Sequence, residues 1–275
     1  MYSASDLKII SEISERFGSG KVGFTSRLSC EIVGIPYENI DAAIAYAEER
    51  GLSFGGTGAK IRPITACKGT TCVYGNFDTQ ALAARIHDEY YVGWAKVKLP
   101  HKFKIGVGGC PNSCMKPSLN DFGVEGHKVP SFSSDLCRGC KTCVVESNCP
   151  SRAVIRGEDG KPVIGESCRS CGVCLEKCPF GAFGKDVQTV YKIFVGGTWG
   201  KETRMGTALS RLVTEDEVFP ILEKVMLWYK SNAFEKERLG AAIDRLGVDK
   251  LEADIFSDEL LERKEEILAS AIKTR

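Results

Sequence analysis

Cys137-Arg138-Gly139-Cys140-Lys141-Thr142-Cys143, followed by Cys149-Pro150, is repeated downstream as Cys168-Arg169-Ser170-Cys171-Gly172-Val173-Cys174, followed by Cys178-Pro179. A thiol at every third residue puts three sulfurs in one tight loop, which is a metal-ligand spacing. The chain has 13 cysteines in 275 residues. Twelve fall into three local groups, the third being Cys67, Cys72, Cys110 and Cys114, and only Cys30 is left over as a small core residue of a strand-like stretch. That arithmetic favours three four-cysteine sites over a disulfide framework. Residues 1–10 show no basic region followed by an apolar stretch, so no secretory signal is expected and the expected setting is cytoplasmic, where thiols stay reduced. No apolar run approaches the ~20 residues needed to span a bilayer. A hydrophobic fraction of 43% with 27% charged residues is that of a globular chain with a real core.

Over about fifty residues the paired motif resembles bacterial two-cluster ferredoxins. In that family each C-x2-C-x2-C loop grips three irons of a cubane, and the fourth iron takes the distant cysteine of the other motif. The resemblance implies one [4Fe–4S] cluster on Cys137, Cys140, Cys143 and Cys178. A second would sit on Cys168, Cys171, Cys174 and Cys149. Two zinc sites are the competing reading, since zinc also uses C-x2-C pairs; the third cysteines at the same step and the trailing prolines count against it. Five residues separate Cys143 from Cys149 where the family usually has three.

Around this module the texture is that of an α+β protein. Apolar periodicity predicts a helix over residues 5–17, a strand-like stretch over 22–35 closed by Pro36, and a helix over 41–50 stopped by Gly51. Gly55-Gly56-Thr57-Gly58 reads as a linker. A strand from Ile61 leads into Cys67, a helix is predicted over 79–91, and a strand over 103–107 runs into Cys110. A strand over 190–195 ends in Gly196-Gly197. Thr214 with Glu217 makes a capping box for a helix to about Lys230. Two further helices are predicted over 238–246 and 258–272. The expected domains are 1–55, then 56–129 continued by 182–246, with 130–181 inserted and a helical extension over 247–275.

Net charge is +1, which gives no reason to expect nucleic acid or a membrane surface. Between Gly56 and Ser118, however, Lys60, Arg62, Lys68, Arg85, Lys96, Lys98, Lys102, Lys104 and Lys116 face only Asp78, Asp88 and Glu89. This basic stretch brackets the third cysteine group and points to a polyanionic cofactor or an anionic substrate. His87, His101 and His127 show no mutual spacing and are assigned no chemistry.

Cys67-Lys68-Gly69-Thr70-Thr71-Cys72 together with Gly109-Cys110-Pro111-Asn112-Ser113-Cys114 resembles the cysteine quartet of the sirohaem-dependent sulfite and nitrite reductases. Arg62-Pro63-Ile64-Thr65-Ala66-Cys67, Leu99-Pro100-His101-Lys102-Phe103-Lys104 and Val195-Gly196-Gly197-Thr198-Trp199-Gly200 extend the likeness, as does Phe24-Thr25-Ser26-Arg27. The order of motifs matches to about Leu246. The resemblance implies a ferredoxin-like half-domain, a sirohaem/[4Fe–4S] α+β domain and an inserted ferredoxin module. It implies that a [4Fe–4S] cube on Cys67, Cys72, Cys110 and Cys114 shares the Cys114 thiolate with a sirohaem. It further implies that Arg27, Arg62, Lys102 and Lys104 bind the anion, because arginine grips two oxygens through its fork and lysine supplies a point charge. Asn112, Lys60, Lys68, Lys116, Lys201 and Arg204 are expected near the sirohaem and its carboxylates.

The implied activity is six-electron reduction of sulfite to sulfide. Ammonia-forming nitrite reduction and a non-catalytic electron-transfer subunit stay open as alternatives. With no flavin or nicotinamide site in the sequence, an external protein such as a ferredoxin or flavoprotein is expected to supply electrons. Many relatives carry two copies of this unit and this chain carries one, so a homo-oligomer is expected, with Arg27, Arg62, Lys102 and Lys104 reaching a neighbour's sirohaem.

Overall fold

A computed structural model describes residues 2–27, 29–184 and 187–275. It divides into two compact units, 1–58 and 59–275, and contains no helix, among the described residues, long and apolar enough to cross a membrane.

In the first unit, α1 (Ala4–Phe17) opens on a capping box. The Ser3 hydroxyl accepts from Asp6 N, and the Asp6 carboxylate accepts from Ser3 N at 2.7 Å. The stretch over 22–35 is a hairpin, β1 (Val22–Phe24) antiparallel to β2 (Cys30–Ile32), with Phe24 opposite Cys30. Thr25 is the reason the strand breaks: its hydroxyl accepts from the backbone N–H groups of Arg27 and Ser29, which folds the chain back. α2 (Ile40–Glu48) follows, and Gly51 takes the left-handed conformation (φ 79) that lets the chain leave the helix. Ile13, Ala43 and Ala47 form this unit's core, with Ile9, Phe17 and Ile32 against them.

The second unit is built on a five-stranded sheet. β3 (Thr65–Ala66) leads to α3 (Thr79–Ile86), which continues as a π-helix over His87–Val92. β4 (Ile105–Gly108) and β5 (Phe122–His127) follow. Residues 128–189 then leave the sheet. They form α4 (Val144–Asn148), the hairpin β6 (Val154–Arg156) and β7 (Pro162–Ile164), and α5 (Val173–Lys177). Val145, Val154, Leu175, Ala182 and Phe183 give this excursion its own small core. The chain returns as β8 (Val190–Val195), with β9 (Thr207–Ala208) at the edge. The order is β3-β4-β5-β8-β9, parallel across β3, β4 and β5 and antiparallel thereafter. β5 pairs β8 without a gap, from Phe122 opposite Val195 to His127 opposite Val190.

α6 (Glu215–Asn232) carries the Thr214/Glu217 capping box and supplies Val218, Leu222, Val225 and Trp228 to the main core. α7 (Leu239–Leu246), α8 (Val248–Ile255), α9 (Glu259–Glu262) and α10 (Lys264–Ala269) complete the chain. α8 falls in the helical extension expected over 247–275, though outside the helices placed at 238–246 and 258–272, and the latter is two short ones. Arg263, at φ −95 and ψ 12, is the break between them.

Candidate redox centre and anion site

β3 and β4 are parallel neighbours, Thr65 opposite Gly106 and Ala66 opposite Val107, so both emit their following loops at the same sheet edge. The β3 loop carries Cys67 and Cys72, and the β4 loop carries Cys110 and Cys114. Cys67 N donates to Val107 O at 3.0 Å, and Gly109 N donates to Cys67 Sγ at 3.2 Å. The two loops touch at glycine: a Cβ on Gly109 would lie 3.0 Å from Gly69 Cα and 3.5 Å from Cys67 Sγ. Ser113 (φ 52) and Lys116 (φ 49) adopt left-handed backbone that winds the second loop tightly around Cys114. Burial pushes the Cys110 thiol pKa up, and Cys114, Cys67 and Cys72 add to it, so all four sulfurs share one neighbourhood.

A second group of four meets in the excursion. Burial, then Cys171, Cys168 and Cys149, push the Cys174 thiol up to about 11. Cys149, Cys168, Cys171 and Cys174 line one cavity of about 330 Å³, counting its open mouth. Burial also pushes the Cys149 thiol up, but the Ser151 side chain and the backbone N–H groups of Val154, Ala153 and Ser151 outweigh it, and the net shift is downward. Such donors stabilise a thiolate. Of the remaining four, Cys137, Cys143 and Cys178 pack against the excursion's core, and Cys140 is exposed. Among the described residues no three His, Cys, Asp or Glu side chains stand close enough together for a single metal ion.

The excursion meets the main sheet beside the first quartet. Arg169 donates from Nη2 to Pro111 O at 2.6 Å, and Lys128 N donates to Ser170 O at 2.8 Å. His127, on β5, bridges the Glu125 carboxylate (3.0 Å) and Arg169 O (3.2 Å). A cavity between the two regions is lined by Tyr74, Cys110, Asn112, Arg169 and Cys171. Asn112 itself is exposed.

Alternation places the cations. Phe103 and Ile105 are fully buried, and Lys102 and Lys104, at the intervening positions, are half-buried. Ile61 bridges Phe103, and Arg62 N donates to Phe103 O at 2.8 Å, which sets Arg62 alongside. Lys104 N donates to Asp121 Oδ2 at 2.8 Å, and the wholly buried Asp121 carboxylate is forked by Arg238 Nη2 at 2.7 and 2.9 Å. Burial and then Arg238 lower the Arg62 pKa; burial followed by Arg238, Lys102 and Arg62 lowers that of His101. The structure thus gathers Arg62, Lys102 and Lys104 and adds His101 and Arg238. Arg27 belongs to the first unit, in the β1–β2 turn.

Among the expected sirohaem contacts, Lys68 is exposed in the loop from Cys67 to Cys72, Lys60 is half-buried beside Phe103, and Lys201 is exposed. Lys116 holds its ammonium 5.1 Å over the Trp199 ring. Arg204 is engaged within the fold. Its Nε and Nη2 fork Asp244, Nη2 also reaches Thr207, and Nη1 donates to Gly196 O and Met205 O. Its guanidinium ties the Gly196 turn to α7, and the carboxylate it grips is that of Asp244. Sequence reading passed over Asp121, Glu125, Arg169 and Arg238, and assigned His101 and His127 nothing. Glu125 and His127 are buried on β5, and no pattern in the residues announces them.

These features define a redox protein with converging cysteine loops beside a cationic face. The nitrite and sulphite reductase 4Fe-4S domain model matches residues 57–264, and the nitrite/sulfite reductase ferredoxin-like half-domain model matches residues 1–50. The chain belongs to this nitrite and sulphite reductase family of enzymes. It is 32% identical over 253 residues to the coenzyme F420-dependent sulfite reductase of Methanocaldococcus jannaschii, covering 90% of this chain and 39% of that one. It is 30% identical to one of the subunits of the anaerobic sulfite reductase of Salmonella typhimurium, covering 85% of this chain and 71% of the relative. It therefore spans well under half the length of the first relative and about seven-tenths of the second. The fold is similar to that of dissimilatory sulfite reductase I, with a TM-score of 0.74 at 22% identity over 94% of this chain and 66% of that one.

Proposed function

We propose that the chain reduces sulfite to sulfide at a sirohaem that shares the Cys114 thiolate with a [4Fe–4S] cluster on Cys67, Cys72, Cys110 and Cys114. The observation that carries this reading is the gathering of four thiols at the ends of β3 and β4, in the unit that also gathers Arg62, Lys102 and Lys104. The residues fit such a group. The donor set is four soft sulfurs, and Gly69 and Gly109 leave their contact free of any Cβ. A sirohaem–cluster pair supplies the capacity to collect six electrons that arrive singly. The protein's share is to bind and orient the anion. Arg62 offers two parallel donors to its oxygens, and Lys102 and Lys104 offer point charges and protons. His101 Nδ1 accepts from Lys102 N at 2.7 Å, which directs the neutral ring's proton to Nε2. Arg27 is a further anion-binding cation, reaching a neighbour's sirohaem in an oligomer.

Two further [4Fe–4S] clusters feed this centre, on Cys137, Cys140, Cys143 and Cys178 and on Cys149, Cys168, Cys171 and Cys174. The second is the inner one, because Arg169 ties its loop to Pro111, next to Cys110. The first, with Cys140 exposed, is the entry point for an external donor protein in a cytoplasmic setting.

Anaerobic iron and sulfide counts with an absorption spectrum test the cofactor set; about twelve cluster irons and one sirohaem per chain are expected. Steady-state turnover of sulfite against nitrite with a low-potential dye tests the reaction. A spectrum without a tetrapyrrole in fully loaded protein refutes the reading, and rates strongly favouring nitrite reassign the substrate.

A further inference from the structure

Asp121 is a charged side chain with no solvent exposure, and it immediately precedes β5 as Lys104 immediately precedes β4. Its backbone is also engaged, since Asp121 O accepts from Gly196 N at 2.8 Å. One carboxylate oxygen accepts from the backbone of Lys104, and Arg238, 117 residues further on, forks both. Arg238 occupies the N-cap of α7, on a segment held on two sides: Lys236 N donates to Pro100 O of the cationic loop at 2.9 Å, and the Tyr229 hydroxyl of α6 donates to Glu237 O at 2.6 Å. A buried ion pair of this kind is weak evidence for stability, because desolvation offsets most of the attraction. Two charges kept in such a place call for another role.

We propose that Asp121 and Arg238 are a positioning pair for the anion site, which fixes the Lys104 backbone and balances the charge behind the face formed by Arg62, Lys102 and Lys104. This rests on the sulfite-reducing reading and deepens it. Asp121 alone would set a negative charge against an anionic substrate; Arg238 cancels it. Arg238 alone would add a positive charge to a group already crowded with cations, among them Arg62 and His101, whose pKa values it lowers. Paired, the two leave the frontal cations to face the substrate undisturbed, and the carboxylate pins the strand between them.

The two charges predict opposite effects. In the holoenzyme, Arg238→Gln leaves the Asp121 charge uncancelled. The KM for sulfite, and its Kd measured by calorimetry on resting enzyme, should rise on the order of tenfold or more, with a smaller fall in kcat. Asp121→Asn keeps an oxygen for Lys104 N and removes the negative charge, so KM and Kd should hold or fall. The double variant should return towards the unmodified values, and Arg238→Lys, which keeps the charge, should stay within about threefold. Should Arg238→Gln fail to fold, Arg238→Lys against Asp121→Asn reads the same contrast. The pair is overturned if both single variants shift KM in the same direction, or if the double variant is no better than Arg238→Gln. Unmodified holoenzyme that neither binds nor reduces sulfite would instead overturn the functional reading, and this inference with it.

Discussion

Replacing Gly109 by alanine adds one methyl group where the two cysteine loops of the core touch. The new Cβ would stand 3.0 Å from Gly69 Cα, 3.1 Å from Thr79 Cγ2 and 3.5 Å from Cys67 Sγ. Non-bonded carbons settle at ~3.5–4.0 Å, so the Gly69 backbone must retreat by roughly half an ångström. Overpacking of this kind costs about 1–3 kcal/mol, against a total stability of about 5–15 kcal/mol for an ordinary domain. The chain therefore stays folded. Ligand distances at a metal site tolerate only about 0.2 Å, so the four thiolates of this quartet lose their geometry first. Gly109→Ala protein, loaded anaerobically, should lose about four irons per chain and its tetrapyrrole absorbance, and keep about eight irons. Gly165→Ala is the control, since its Cβ meets only Ala153 O at 3.5 Å. A Gly109→Ala protein with full iron, full tetrapyrrole and unchanged melting would refute both the contact and the assignment of the site.

Cys149→Ser and Cys174→Ser should each abolish the same cluster signal, whereas Cys178→Ser should abolish the one lost in Cys137→Ser; electron paramagnetic resonance of the reduced proteins separates the two, and the opposite pairing would disprove the crossed ligation. Arg169→Ala removes the tie to Pro111 and should slow dye-driven turnover several-fold while leaving iron content intact; a normal rate would show that the inner cluster is not held by this contact. Mixing Lys102→Ala/Lys104→Ala chains with Cys114→Ala chains should restore activity if the cations act across a subunit interface, and no recovery in a confirmed mixed assembly would place them in one chain. The Arg211 side chain and the Thr214 N–H hold the Glu217 carboxyl down at about 2. A lowered pKa stabilises the folded state above the ordinary carboxylate value, and that contribution fades as pH falls from near 4.5 towards 2. Because Glu217 is partly exposed the effect is small, and melting curves of Glu217→Gln should converge on the unmodified ones at low pH.

Features that depend on neighbours in sequence were legible. The cysteine steps are a property of single loops, and the Thr214/Glu217 capping box spans one helical turn. The strands leading into Cys67 and Cys110 were found because a cysteine pair marked each end. What escaped reading was long-range or contradictory in pattern. β5 is buried along its whole length yet contains Glu125 and His127, so neither alternation nor an apolar run announces it. Asp121 and Arg238 meet only because the sheet and α7 bring them together. Arg204 was expected near the sirohaem, and only its fan of partners shows that it ties the Gly196 turn to α7. The π-helix over His87–Val92 continues α3 without any residue that marks the change of pitch.

His127 and Val190 face each other across one ladder, although the chain travels through residues 128–189 between them. A two-residue turn such as Asn-Gly could in principle close that gap directly. The excursion over residues 128–189 therefore occupies what would otherwise be a plain hairpin tip, so lengthening or shortening it leaves every pairing of β5 with β8 in place.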